Sequence, residues 1–480
     1  MGENLATKKK GIGPLNWTLL LVIGFTAQIA WVIENNWFAN FLYSDFGAQL
    51  GVVTAMTICS ATATTFSALF FGTLSDRMGS RKKLIVWGSI GWGIFTIAFG
   101  LTHYLRDSIY NNVMLIGVTI VAADTIMSFF GSMANDAGYN AWYADMMDDS
   151  NSGQIGAVAA TLPVIGTLVG TLVGGMFVTS EYFTRTNPQG GYIAFFSIVG
   201  VLTIIIGIAS IFLLKDDPKL KPVKDGSFWH QFGSTFNFKR FVSNRELALV
   251  FVTLCVFFIG YNCYFIHIMN WMNYTLGFED PSLILGIPLV IAVLISIPFI
   301  KVINNKKVPG VAAFSVIISI FACLFVFFVV GKMSDGLDTS NALNLAANWP
   351  CFVAIVGSGI GYVVFMQSMT VWMKRLYPEE HRGQFEGIRI MFFVFLPMIA
   401  GPLIADPICR RFGEKVYQVV VDGGLQFVTA PEAQALGYDI SKIAEGYLPV
   451  NELFVAAAIV SVLSLIPMYF AAKMYKERNK

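Results

Sequence analysis

Asp136 and Asn140 stand four residues apart in NDAGYNAWYADMMDD, residues 135–149, and Tyr139 lies at the edge of the face they share. On a helix that spacing sets a carboxylate one turn from an amide. Such a pair can bond a hydroxyl group, hold a proton, or only tie two helices together. A second group lies in QIAWVIENNWFAN, where Gln28, Trp31 and Asn35 recur at spacings of three and four, with Glu34 beside them. That gives one polar and aromatic helix face. Amides and carboxylates bond hydroxyls and an indole stacks on the C–H face of a ring, so the face suits a sugar. Glu34 is also a candidate proton carrier, because desolvation favours the protonated carboxyl; an interfacial acid reaching water is the other reading. A third group, GYNCYFIHIMNWMNY, offers Tyr261, Asn262, Tyr264, His267, Asn270 and Trp271 as an opposing wall. His267 reads either as a proton shuttle or as a satisfied hydrogen-bonding group.

These groups sit in segments that are otherwise apolar. The chain of 480 residues is 55% hydrophobic and 13% charged, against about 25% charged in soluble domains. Runs long enough to cross a ~30 Å hydrocarbon core recur throughout. Twelve spans are expected, at about 15–42, 49–74, 84–104, 112–145, 153–180, 191–214, 246–275, 283–303, 309–332, 346–376, 384–410 and 449–472. They must be helices, because backbone groups in lipid need partners within their own segment and the runs are too long for barrel strands. An ionisable side chain inside such a helix costs upward of about 2.5 kcal/mol. Glu34, Asp124, Asp136, His267, Glu386 and Arg389 are therefore functional candidates, although Glu386 and Arg389, three apart, can pair with each other.

Several classes drop out. A net charge of +2 suggests no nucleic-acid partner. The six cysteines lie in or beside apolar runs, so no disulfide framework is implied, and no metal-ligand spacing or nucleotide-binding loop is present. GSGIG, residues 357–361, falls in a span and reads as helix packing. No cofactor and no enzymatic activity are expected.

Lys and Arg concentrate in alternate loops, at Lys8–Lys10, at 77–83, in 215–245, at Lys301, Lys306 and Lys307, at Lys374, Arg375 and Arg382, and at the C-terminus. That bias places both termini in the cytoplasm. The segment 215–245 is the longest loop on that side, and its part SFWHQFGSTFNFKRF is either a surface-lying helix or a solvated linker. It divides the chain into an N-terminal six-helix bundle, 1–214, and a C-terminal one, 246–480. A repeat supports the division. WYADMMDDSNSGQ begins at Trp142 and WMKRLYPEEHRGQ at Trp372, and NNWFAN in span 1 finds an echo in MNWMN in span 7.

The loop GTLSDRMGSRKK holds Gly72, Asp76, Arg77, Gly79, Arg81 and Lys82. It resembles the G-x-x-x-D-R-x-G-R-[KR] signature of the major facilitator superfamily. The resemblance implies an all-α membrane protein of two pseudo-symmetric six-helix bundles around a central cavity, with this loop as a conformational latch. Asp76 is then expected at a helix N-terminus, that of span 11. At least one of Asp145, Asp148 and Asp149 is expected to pair with the basic cluster.

Within the superfamily, DAGYNAWYAD resembles span 4 of the glycoside–pentoside–hexuronide cation symporters, and its Ala141–Asp145 portion that of plant sucrose carriers. FLYSDFG, with Tyr43, Asp45 and Gly47, is similar to the end of span 1 in the same symporters. The resemblance implies that Asp136 bonds sugar hydroxyls. Gly138 replaces the core proline, and Thr64 and Ala68 stand where span 2 of sodium-coupled members carries aspartates. Gln28 and Ile29 occupy the region of a first-span sugar aspartate, and Ala160 that of a fifth-span arginine. These departures favour a proton over sodium. GTLVGTLVGG in span 5 (Gly166, Gly170, Gly174, Gly175) is similar to the antiporter motif of drug exporters, with Thr171 in place of its proline; small-residue ridges also serve tight packing.

The expected function is uptake of a sugar or glycoside coupled to a cation, by a monomer in the plasma (inner) membrane. The site would comprise Gln28, Trp31, Glu34, Asp136, Tyr139, Asn140, Tyr261, Asn262 and His267, with Glu34 and Asp136 coupling the cation. Efflux of amphipathic compounds against protons is the alternative, and a non-transporting membrane sensor a remote one. The loop 411–448 shows no chemistry but could cap the cavity.

Overall fold

The computed structural model describes residues 13–109, 112–147, 152–218, 220–223, 226–234, 243–304, 307–377, 388–421, 424–441, 443 and 445–479. Among them, eleven helices are long and apolar enough to cross a membrane: Pro14–Phe46, Leu50–Met78, Lys82–Leu105, Met114–Asp145, Thr161–Val178, Gly190–Leu213, Arg245–Thr275, Val308–Lys332, Leu345–Leu376, Ile388–Phe412 and Glu452–Arg478. A twelfth apolar helix, Pro281–Ser296, is shorter and is followed by the helix Phe299–Asn304. We number these spans 1 to 12 in chain order, Pro281–Ser296 being span 8.

Local chemistry sets the helix ends. Span 1 starts with Pro14 at a first-turn position, where the missing N–H costs nothing. Asn112 and Asn244 accept from the N–H groups of Leu115 and Leu247, capping spans 4 and 7. Span 2 ends at Gly79, whose φ of +63° closes the helix by a left-handed turn. Spans 1, 4, 7 and 11 each carry a π-helical segment, at Ile33–Trp37, Met133–Tyr139, Trp271–Thr275 and Met391–Phe395. Such wide turns rotate the side chains beyond them and recur at functional sites.

Helices before the linker pack mainly on one another, as do those after it. Span 3 lies along spans 4 and 6 and span 2 along span 4; span 7 lies along spans 11 and 12 and span 9 along spans 10 and 12. Aromatic rings fill both interiors. Phe38 stacks on Phe99 at 3.5 Å in the first half, and Phe257 on Phe365 at 3.9 Å in the second. Leucines, isoleucines and phenylalanines such as Ile205, Phe212, Phe321 and Phe470 stay exposed around the outside, where lipid would cover them.

Span 5 meets span 1 along its glycines. Gly166 faces Gln28, Gly170 faces Val32 and Gly174 faces the Trp37 indole, and Trp37 Nε1 donates to the Gly170 carbonyl at 3.3 Å. A side chain at Gly170 would put its Cβ 3.1 Å from Val32 Cβ, so the ridge is a close-packing surface.

The two halves meet on the face remote from the linker. Asn40 Nδ2 of span 1 donates to Asn270 Oδ1 and Asn273 Oδ1 of span 7, each at 2.9 Å, and Tyr192 donates to Asn40 Oδ1. Asn40 and Asn270 are 230 residues apart, the offset that also separates Trp142 from Trp372. Those two tryptophans are fully buried at the linker end of spans 4 and 10, and each donates from Nε1, to the Lys215 carbonyl at 3.0 Å and to Glu246 Oε1 at 2.8 Å.

Between spans 11 and 12 the chain forms a small sheet. Strand β1, Lys415–Val421, is rich in valine, a β-branched residue that favours extended backbone. It pairs antiparallel with β2, Gly424–Val428, on one side and with β3, Glu445–Tyr447, on the other. The sheet clasps the turn between spans 1 and 2. Tyr447 N–H donates to the Ala48 carbonyl at 3.2 Å, Tyr43 O–H to the Tyr447 carbonyl at 3.1 Å, and Gln418 Nε2 to the Ser44 carbonyl at 3.2 Å. It thus ties the second half to the first on the remote face. Gly446 lies so close to the Ala48 carbonyl that no Cβ fits between them. Gly446→Ala is expected to destabilise the fold by about 1–3 kcal/mol, read as a lower thermal unfolding midpoint in detergent. Gly336→Ala, where a Cβ meets nothing within 4 Å, should leave the midpoint unchanged.

Candidate functional site

A cavity of 1340 Å³ separates the halves. It extends from Thr171 and Trp271 toward the remote face to Ala144, Ile303, Lys374 and Tyr377 at the linker end. The first half contributes Asn36, Thr64, Asp136, Asn140, Tyr143 and Thr171 to its wall; the second contributes Tyr261, Tyr264, Phe265, Trp271, Tyr362, Gln367, Arg389, Phe393 and Phe454.

Asp136 holds its place through the π-helical segment of span 4. Its Oδ2 accepts from Ser132 Oγ at 2.8 Å and its Oδ1 from Asn135 Nδ2 at 2.9 Å. Ser132 is also 2.8 Å from the Thr64 carbonyl of span 2, which fixes the hydroxyl against two helices. Arg389 of span 11 shares the cavity and acts electrostatically on Asp136, while its guanidinium lies 5.5 Å from the Phe393 ring centre. Opposite stands an aromatic wall. Tyr261 stacks between Phe265 and Tyr362, at 4.7 and 5.0 Å. Tyr264 Oη is 2.8 Å from Ser358 Oγ, and Trp271 Nε1 donates to Asn451 Oδ1 at 2.8 Å. One wall therefore accepts and donates hydrogen bonds, and the other presents ring faces.

Of the residues singled out in the sequence, Asp136, Asn140, Tyr261, Tyr264, Trp271 and Arg389 line this cavity together. Gln28, Trp31, Glu34, Tyr139, Asn262 and His267 lie behind its walls. Gln28 sits under Gly166, and Trp31 packs on Trp92 at 5.0 Å. Glu34 accepts from Ser128 Oγ at 2.7 Å inside the first half. Tyr139 donates to the Leu20 carbonyl at 2.6 Å, and Asn262 to the Phe258 carbonyl at 2.8 Å. His267 is fully buried at the break in span 7. Tyr362 and Gln367 of span 10 escaped the sequence reading; the signal for them is a polar residue and an aromatic within the apolar run GYVVFMQSM.

The loop between spans 2 and 3 is knit by Arg81. Its Nη1 meets Asp76 Oδ1 at 2.6 Å and its Nε meets Asp145 Oδ2 at 3.0 Å. Burial works against the Arg81 charge, yet Asp76 and Asp145 outweigh it and hold the guanidinium above its ordinary pKa. The start of the linker docks on the same loop. Asp216 accepts from Ser80 Oγ at 2.6 Å, Arg81 N at 2.8 Å and Lys82 N at 2.9 Å, which caps span 3 from a distant part of the chain. Lys82 Nζ donates to the Ile211 carbonyl at 2.6 Å, and Arg77 Nη1 to the Gly226 carbonyl and to Gln231 Oε1, each at 3.0 Å. A side chain at Gly72 would meet nothing within 4 Å of its Cβ. The expected docking of Asp76 at the start of span 11 falls on residues 378–387, outside the described residues, as do Asp148, Asp149 and Glu386. The linker segment Phe228–Ser234 is helical and lays Phe228 and Phe232 on Phe70 and Phe66 of span 2.

Residues 20–402 match the Major Facilitator Superfamily. Three solved structures share the fold. A bacterial homolog of the human lysosomal transporter Spinster, inward-facing and unoccupied, has a TM-score of 0.66 and 11% identity over 97% of this chain and 99% of its own. A mutant of the nucleoside transporter NupG has a TM-score of 0.64 and 12% identity, covering 95% and 99%. The POT family transporter PepTSo has a TM-score of 0.61 and 11% identity, covering 97% and 99%. No protein of curated function matches the chain.

Removing the Asp216 cap leaves three donors at the start of span 3 without their acceptor. Asp216→Ala is expected to cost about 0.5–2 kcal/mol. Hydrogen exchange should show it as lost protection at residues 80–85, with protection in span 6 unchanged.

Proposed function

We propose that this chain, which belongs to the Major Facilitator Superfamily, carries a sugar or glycoside inward together with a proton. Members of this family are transporters and not enzymes, and this chain transports a small solute across a membrane. The residues 1–214 and 246–480 act as the two rocking bundles and 215–245 as the cytoplasmic linker. The linker face and both termini are then cytoplasmic, the membrane is the plasma (inner) membrane, and the working unit is a monomer. With that orientation the cavity is open inward and shut outward by the Asn40–Asn270 contact and the sheet.

One observation carries the reading: Asp136 and Asn140 line the cavity opposite stacked tyrosine rings. A carboxylate and an amide bond hydroxyl groups, and a tyrosine face covers the apolar side of a sugar ring. Glu34 and Asp136 are the coupling carboxylates in this reading, Asp136 serving substrate as well as proton. Thr64 and Ala68 offer no carboxylate to a sodium ion at the cavity's edge. Gly166, Gly170 and Gly174 of span 5 are occupied in packing against span 1 and Gly175 against Ser282 at the start of span 8, which favours uptake over the drug-antiport alternative.

Proteoliposomes with an imposed pH gradient test the reading. Asp136→Asn loses hydrogen bonds to a charged acceptor, worth about 1.5–3 kcal/mol, so substrate affinity should fall by about ten- to a hundredfold. Affinity and accumulation unchanged in Asp136→Asn, or accumulation that follows a sodium gradient and ignores pH, would overturn it.

A further inference from the structure

Span 4 carries a polar row of which the substrate site uses only the lower end. Asp124, Ser128, Ser132, Asp136 and Asn140 follow one another at intervals of four, so they form one stripe down the helix. Its lower end, Asp136 and Asn140, lines the cavity. Its upper end lies behind the wall, against the π-helical segment of span 1. There Ser128 Oγ stands 2.7 Å from Glu34 Oε1 and 2.8 Å from the Asp124 carbonyl oxygen. The Glu34 side chain is thereby held one helical turn from Asp124, and the two carboxyls act on each other electrostatically.

Both acids are more than nine-tenths buried, with Glu34 8% and Asp124 1% exposed. Neither oxygen of Asp124 has a hydrogen-bond partner among the described residues, and nor does Glu34 Oε2. The groups that face them are few. Span 2 offers the Ser60 hydroxyl beside Glu34, and span 4 adds Asp136 further along the stripe. The charge of Arg389, across the cavity, acts on Asp136. Among the described residues, no Lys, Arg or His forms an ion pair with Glu34 or Asp124. Spans 5 and 7, which also pack on the π-helical segment, bring it the neutral Thr171, 3.5 Å from Asn36, and the helix Ile268–Asn270.

Two ionised carboxylates cannot share such a place without a cation between them. We propose that Glu34 and Asp124 form a site for one exchangeable proton, which the pair shares at the closed end of a polar row whose other end, Asp136, meets the cavity. A proton on Asp124 would be donated to the unpartnered Glu34 Oε2. This inference rests on the proton-coupled reading and adds that the proton is stored away from the substrate, on span 1 and span 4 together.

The test is infrared difference spectroscopy of the purified full-length chain, titrated with pH, beside two transport assays. Wild type should show the carbonyl-stretch band of a protonated carboxyl, and Glu34→Gln and Asp124→Asn should each shift its frequency and its pH midpoint, because the proton belongs to the pair. Asp136→Asn should leave both unchanged. In vesicles, Asp124→Asn should lose at least tenfold in accumulation driven by a pH gradient while keeping substrate exchange at equal pH. Should Asp124→Asn not fold, Ser128→Ala retains both acids and is expected to shift the midpoint of the band. A band unchanged in either acid variant, and in Ser128→Ala, overturns the site. A band that sodium chloride removes at constant pH, where choline chloride does not, overturns the proton as its occupant. The infrared result is read without substrate, so it stands apart from any failure of the sugar assignment.

Discussion

An unpaired charge far from water is costly, and that single fact governs where the ionisable side chains of this molecule lie. At the ends of the spans the charges are matched. Arg81 is shared by Asp76 and Asp145. Asp45, fully buried, lies 2.9 Å from His103 Nδ1 and 3.6 Å from Arg106 Nε. Glu246 takes Trp372 Nε1 at 2.8 Å and Arg478 Nε at 2.9 Å. These clusters hold helix ends together where partial hydration lowers the cost of charge. Glu34, Asp124 and Asp136 depart from the pattern. They lie within spans 1 and 4, and their neighbours are hydroxyls, an amide and one another, with the charge of Arg389 reaching Asp136 from across the cavity.

The second constraint is close approach. Helices in lipid gain little from the hydrophobic effect against each other, so they rely on small residues and interhelical hydrogen bonds. The span-5 glycines let span 1 come near enough for Trp37 to reach a backbone carbonyl. The Asn40–Asn270 pair does the same between the halves, and its partners stand at equivalent places in the two repeats. A contact between equivalent residues lies on the pseudo-symmetry axis, where one small rotation separates both partners at once. The sheet adds backbone hydrogen bonds to that closure, from a segment that belongs to the second half.

Much of the architecture was legible in the chain. Eleven of the expected spans recur as long apolar helices with ends close to those anticipated, because a membrane asks for length and apolarity, which a sequence states directly. The loop at 72–83 announced the family. The sheet was not legible: β1 is valine-rich, but its pairing with β3 joins segments separated by another strand and a helix. Nor was the side from which Arg81 would be held, since Asp216 lies 135 residues away.

The site shows where the reading of residues stops. Asp136, Asn140 and Tyr261 reach the cavity, while Gln28, Trp31 and Glu34 turn into the first half. A helix surrounded by other helices has two polar sides to offer, a cavity and an interhelical seam, and spacing cannot tell them apart. The π-helical turn at Ile33–Trp37 further rotates the face that regular spacing implies. The sequence by itself determined that this is a twelve-span helical membrane protein of this family, and that a handful of acids lie in its spans. Only the tertiary structure decided which acid meets the cavity and which meets another acid, because that depends on the rotation of each helix against its neighbours, and packing alone sets that rotation.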